Sequence, residues 1–191
     1  QYASNIAEVA SEAAGSGTAR TLDLLSTLGV REQMGSGTGR AALVAKANVN
    51  TTAAANTDAG EDDLITYAMP ANSLNAAGKG VEIIAWGTFA NNANAKTLKL
   101  YFGSAAILTN SLTINVAGVW RIQAVVFSTG TDAQDYSSVL TTLGAAAVAL
   151  LDVENGSLTQ VDGAAITIKC TGEGVATNDI VQEGQLVKYI G

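Results

Sequence analysis

Residues 86–102 read Trp86-Gly-Thr-Phe-Ala-Asn-Asn-Ala-Asn-Ala-Lys-Thr-Leu-Lys-Leu-Tyr-Phe102. Two strand-like stretches flank a turn of Asn and Ala, a pattern that predicts paired strands with a short connection. Further on, Val119-Trp-Arg-Ile-Gln-Ala-Val-Val-Phe127 reads as another strand, whose Trp120 and Phe127 need cover. No cluster of acids, bases or nucleophiles accompanies them. The stretch points to a surface or assembly protein built on a β-sandwich rather than to an enzyme.

Working outward, the same signals recur. Strands are predicted over 64–69 (closed by Pro70), 81–90, 97–102, 107–116, 119–129, 164–171 and 185–190, with 145–153 either a strand or a short buried helix. Turn signals separate them at Ala77-Gly-Lys-Gly80, Ala117-Gly118, Glu154-Asn-Gly-Ser157 and Gly172-Glu-Gly174. Short strands without long helices between them predict a sandwich or barrel. Eight strands suit a jelly roll. The expected fold class is therefore mainly β: a jelly-roll-like β-sandwich over 61–191.

Residues 1–60 differ in composition, being rich in Ala, Ser and Gly. Ser4 is a candidate N-cap for a first helix, with Ile6, Val9, Ala10 and Ala13 on one stripe and Gly15 and Gly17 ending it. A second helix runs from Thr18, with Leu22, Leu25 and Leu28 recurring until Gly29. Helices this short are marginal alone in water, so they need partners. They predict a helical neck in which Ile6, Val9, Ala13, Leu22, Leu25 and Leu28 face a three-fold axis. The glycines of Met34-Gly-Ser-Gly-Thr-Gly39 lack the Lys-Ser or Lys-Thr of a phosphate loop and read as a hinge. Residues 45–60 read as a linker or extended arm.

Composition limits the partners. Of the 191 residues, 14% are charged, against about 25% in an ordinary soluble domain. Several strands are apolar on both faces: Val81, Ile83 and Ala85 alternate with Ile84 and Trp86, and Val125, Val126 and Phe127 are consecutive. A sheet with one face in water should alternate cleanly. A second apolar face implies cover from other copies of the chain, as in a homotrimer. The net charge of −7 with ten scattered basic residues argues against nucleic acid. No apolar run approaches the roughly twenty residues of a membrane span. With no His and one Cys, zinc is excluded, and no metal or other cofactor is expected. Cys170 alternates with Ile166 and Ile168, which makes it a small buried thiol rather than a nucleophile.

The candidate ligand contacts are Asn91, Asn92 and Asn94, with Gln134, Asp135 and Tyr136 in a polar loop. Asn in a tight turn tolerates left-handed backbone and caps local amides. The functional alternative is sugar binding, where Asn bonds hydroxyls and Trp86, Phe89, Tyr101 or Trp120 supplies a stacking ring, although each of those aromatics also suits a core. The triplet Glu61-Asp62-Asp63 reads as a solvated strand entry, since adjacent residues of one strand cannot both face a substrate, rather than as a calcium site, which loop oxygens there could also form.

Two stretches resemble proteins of tailed phages. Asn-Ile-Ala-Glu-Val-Ala-Ser-Glu-Ala-Ala-Gly-Ser-Gly-Thr-Ala-Arg-Thr-Leu, residues 5–22, is similar to the neck ahead of receptor-binding domains in tail fibres and tailspikes. Tyr67-Ala-Met-Pro-Ala71, residues 87–103 and Trp120-Arg-Ile-Gln123 look like a β-domain common in phage structural proteins. The resemblance implies a homotrimer, a place in the virion among other virion proteins, and a host surface glycan as ligand. The long parallel β-helix and carboxylate clefts of enzymatic tailspikes are missing, which speaks against depolymerase activity. A capsid decoration or cement protein is the alternative within the class, and a carbohydrate-binding module the alternative outside it.

Overall fold

A computed structural model describes residues 48–113, 117–143 and 148–190. The expected neck, with Ile6, Val9, Ala13, Leu22, Leu25 and Leu28, and the glycine-rich hinge lie outside these residues. The described chain is mainly β, with no helix among the described residues. Its eleven strands are β1 (Asn48–Asn50), β2 (Ala54–Ala55), β3 (Glu61–Met69), β4 (Gly80–Phe89), β5 (Ala95–Phe102), β6 (Ala105–Thr113), β7 (Gly118–Gly130), β8 (Ala133–Leu143), β9 (Val148–Leu158), β10 (Ile166–Gly174) and β11 (Ile180–Ile190).

All pairings are antiparallel. The larger sheet runs β1-β11-β4-β7-β8-β9, with β2 also on β11, and the smaller runs β3-β10-β5-β6. With β1 and β2 taken as one broken strand, four strands lie in each sheet in the two-Greek-key order of a jelly roll. The hairpin β8–β9 then extends the larger sheet past β7. Residues 48–50 and 54–55, in the segment expected to be an arm, are paired with β11.

Alternation decides what faces inward. From β4 come Val81, Ile83, Ala85 and Phe89, and from β7 Trp120, Ile122, Ala124 and Val126. They meet Leu98, Leu100 and Phe102 of β5, Leu108 of β6 and Ile166, Ile168 and Cys170 of β10 in one continuous core. Each large apolar side chain buried there contributes about 1.5–3 kcal/mol. The Trp120 indole, its Nε1 donating to the Thr88 carbonyl at 3.2 Å, packs beside Phe89 with ring centroids 6.2 Å apart.

Three local expectations need correction. Residues 134–136 are not a loop: a two-residue turn at Thr131 and Asp132 leads straight into β8. Asp132 takes a left-handed φ of 51°, tolerable for Asp. The Glu154–Ser157 and Gly172–Gly174 turn signals lie inside β9 and β10, and in β9 Gly156 sits against the Tyr136 ring. The 145–153 segment is strand from Val148 on, so the short-helix alternative falls.

Candidate functional site

The Asn-rich turn joins β4 to β5. Asn92 and Asn94 donate through Nδ2 to Asp179 Oδ1 and Oδ2 at 2.6 and 2.9 Å. Asp179 also accepts the backbone N–H groups of Val175 and Ala176 at 3.0 and 2.8 Å. The buried Lys96 ammonium donates to Asn92 Oδ1 at 2.7 Å and to the Asn94 carbonyl at 3.2 Å. Burial pushes the Asp179 carboxyl up, but the hydrogen bonds from Asn92, Ala176 and Asn94 and the Lys96 charge outweigh it and hold its pKa below the ordinary range. These side chains close one end of the sandwich, with Asn91 left exposed.

Gln134, Asp135 and Tyr136 lie at the other end. Gln134 is fully buried and donates through Nε2 to the Gln160 carbonyl at 3.0 Å and to Asp162 Oδ1 at 2.9 Å. Asp162 and Asp132 exchange backbone-to-carboxylate bonds at 2.7 and 3.0 Å. Asp135 is exposed and accepts from Ser157 Oγ at 2.7 Å. Tyr136 is half-buried against the core, and its pKa is raised by burial and by the charge of Glu154. In register, Phe89 of β4 meets Gly118, while Gly80 meets Phe127 and Phe127 meets Asp135. The ten residues of β4 between these ends, nine steps along the strand, span about 30 Å, so the structure does not bring the two candidate groups together.

It brings together a different set, on the outer face of the larger sheet. Trp86 is paired with Arg121, which is paired with Thr141. The register slips between Gln182 and Gly184, where β11 passes Trp86. A Cβ at Gly184 would come within 2.1 Å of Trp86 Cζ2 and 2.6 Å of its Cε2 and Cη2, so the indole lies over this glycine. Around it opens a groove of about 350 Å³ lined by Trp86, Val119, Arg121, Thr141, Leu143 and Glu183. Arg121 and Glu183 are exposed, and among the described residues neither is in an ion pair. Trp86 had been one of four candidate rings. Trp120 and Phe89 prove to be core, and Tyr101 donates to Glu61 Oε1 at 2.9 Å with the Lys169 ammonium 5.5 Å from its ring centroid. Arg121 and Glu183 were missed: Glu183 reaches the groove through a register slip that periodicity does not reveal.

The other candidate chemistry is spoken for. Glu61 pairs with Lys99 and Asp63 with Lys169, each at 2.5 Å, on the smaller sheet, while Asp62 accepts from Thr57. Cys170 is buried, and burial pushes its thiol up to about 12. Among the described residues no group of three or more acids, His or Cys is arranged to hold a metal, and no helix is long and apolar enough to cross a membrane.

No family model matches the chain, and no curated protein does. Among solved structures, the CBM2 module of an evolved Dit of Lactobacillus casei BL23 phage J-1 aligns over 70% of this chain and 74% of its own. The identity is 8% and the TM-score 0.29, a likeness too slight to bear on fold or function.

Proposed function

We propose that this chain is a structural protein of a tailed-phage virion, a tail fibre or fibre tip, which adheres to the host as a homotrimer and performs no chemistry. The observation that carries this is the outer face of the larger sheet. Val119, Phe127, Leu143 and Val153 are 37–58% exposed there, beside the partly covered Ile84, Val125 and Val139. These apolar side chains are interspersed with Gln123, Asp135 and Ser137 on the same face, and large exposed apolar groups spread over neighbouring strands mark an interaction face. On the half containing Val125, Phe127, Val139 and Val153, the cover is another copy. The helical stripe of Ile6, Val9, Ala13, Leu22, Leu25 and Leu28 gathers the three chains. The sequence resemblance to phage necks and β-domains supplies the virion setting. Weak contacts with the host, multiplied over three copies and several fibres, give avidity without a tight single site.

Sedimentation of the full chain at micromolar concentration is expected to give three copies, and a stable monomer overturns the trimer. An electron-microscopic map of labelled virions is expected to place the chain on the tail. Density on the capsid lattice would make it a decoration protein instead.

A further inference from the structure

We propose that the Trp86 groove is a saccharide subsite, taking one neutral hexopyranose unit of a surface polysaccharide. This rests on the adhesive role proposed above and gives it a place and a ligand class.

Trp86 cannot project as an ordinary core side chain, because it stands on the outer side of β4. Instead its benzo ring covers Gly184, where any side chain would displace it. One part of the indole is thus taken by backbone, and Trp86 also lines the groove. A flat π surface of fixed orientation suits the C–H face of a pyranose ring, which is apolar and planar in outline. Amphipathic recognition of this kind pairs an apolar platform with a few placed polar groups. Arg121 on β7 and Glu183 on β11 supply these on opposite sides of Trp86, the first with donors only and the second with acceptors only. Thr141 adds a hydroxyl, which itself donates to the Arg121 carbonyl at 3.4 Å. Vicinal sugar hydroxyls both donate and accept, so they satisfy the two charges at once.

The same pairing of charges argues against other occupants. Their opposite signs leave no net field to favour a phosphate or an acidic sugar. A second copy of this chain seated on Trp86 would bury an arginine and a glutamate, at a desolvation cost that an apolar interface does not return. A sugar leaves them partly in water. The groove volume lies within the range of about 300–1,000 Å³ usual for small-molecule clefts.

The test uses the full chain on an array of bacterial surface oligosaccharides, followed by titration of the retained glycan and its constituent monosaccharide against tryptophan fluorescence. Trp86 and the buried Trp120 are the two tryptophans, so a ligand-dependent change in the exposed emission reports on Trp86. The expected result is retention of neutral hexose-containing glycans. Trp86→Ala should weaken binding at least twentyfold, and Arg121→Ala and Glu183→Gln each about tenfold. All three should keep the thermal transition of the parent, because none of these residues is in the core. If Trp86→Ala perturbs folding, the two polar variants decide. The subsite is overturned by an empty array, by glycan binding indifferent to these substitutions, or by self-association that shields Trp86 from acrylamide. An empty array from a trimer found on virion tails sinks the subsite and leaves the adhesive fibre standing. A glycan-binding chain absent from virions does the reverse.

Discussion

Asp179 shows why single residues resisted assignment from sequence alone. The Asn-rich turn suited capping better than sugar contact but admitted both, because the partner that settles Asn92 and Asn94 lies 87 and 85 positions away. Removing that partner strips four hydrogen bonds from a buried end of the sandwich. Asp179→Ala is expected to cost about 2–3 kcal/mol, read as a lower urea midpoint at pH 7. The sign of the pH effect follows from the depressed pKa. A carboxyl held below its unfolded value stabilises the fold above that value, and the gain is lost as pH falls through the native one. The difference in midpoint between parent and Asp179→Asn should therefore shrink from pH 7 to below about pH 4. Cys170 was legible, since strict alternation with two isoleucines placed it inward. Its thiol is expected to resist a neutral disulfide reagent in the folded protein and to react within seconds in denaturant, and rapid native reaction would contradict its burial.

At the level of elements, the apolar strands were readable and the polar one was not. β8 turns Gln134, Tyr136, Ser138, Leu140 and Thr142 inward, a face too polar for a periodicity of apolar residues to flag. It works because the strand packs against β6, at the edge of the smaller sheet, and its polar groups find local partners. Ser138 Oγ donates to the Ile107 carbonyl at 2.5 Å, and Gln134 bonds Gln160 and Asp162. The Asn155-Gly156 pair misled for a related reason: the glycine is there to admit Tyr136 and not to turn the chain. Two other glycines separate the faces of the larger sheet. A Cβ at Gly87 would fall 1.9 Å from the Val181 carbonyl oxygen and 2.7 Å from the Trp120 ring, so backbone must move. At Gly184 the three nearest atoms to a Cβ all belong to the outer indole. Gly87→Ala is expected to cost about 3 kcal/mol, whereas Gly184→Ala should cost about 1 kcal/mol or less and free Trp86 from its bed. Thermal unfolding of the two variants, with acrylamide quenching for the second, distinguishes them.

On the scale of the whole molecule, the sandwich and its Greek-key course follow from strands whose inward residues were visible in the sequence. The number of strands and the extension by β8–β9 were not visible, because they depend on which distant segment completes each edge. The two-sided apolar pattern was legible and now has coordinates on the outer face of the larger sheet. If the proposed trimer forms, replacing both Phe127 and Val153 by Asp should leave far-UV dichroism unchanged while shifting sedimentation from three copies towards one, and an unaltered trimer would move the contact elsewhere. One further property is mechanical. The described chain enters along β1, held to β11 by three residue pairs, and continues through β2, held by two. Tension arriving at Asn48 while the sheet face is anchored therefore meets a short ladder first. β1 and then β2 would peel or shear away as a fuse, paying out slack before the ten paired positions between β11 and β4 bear the load.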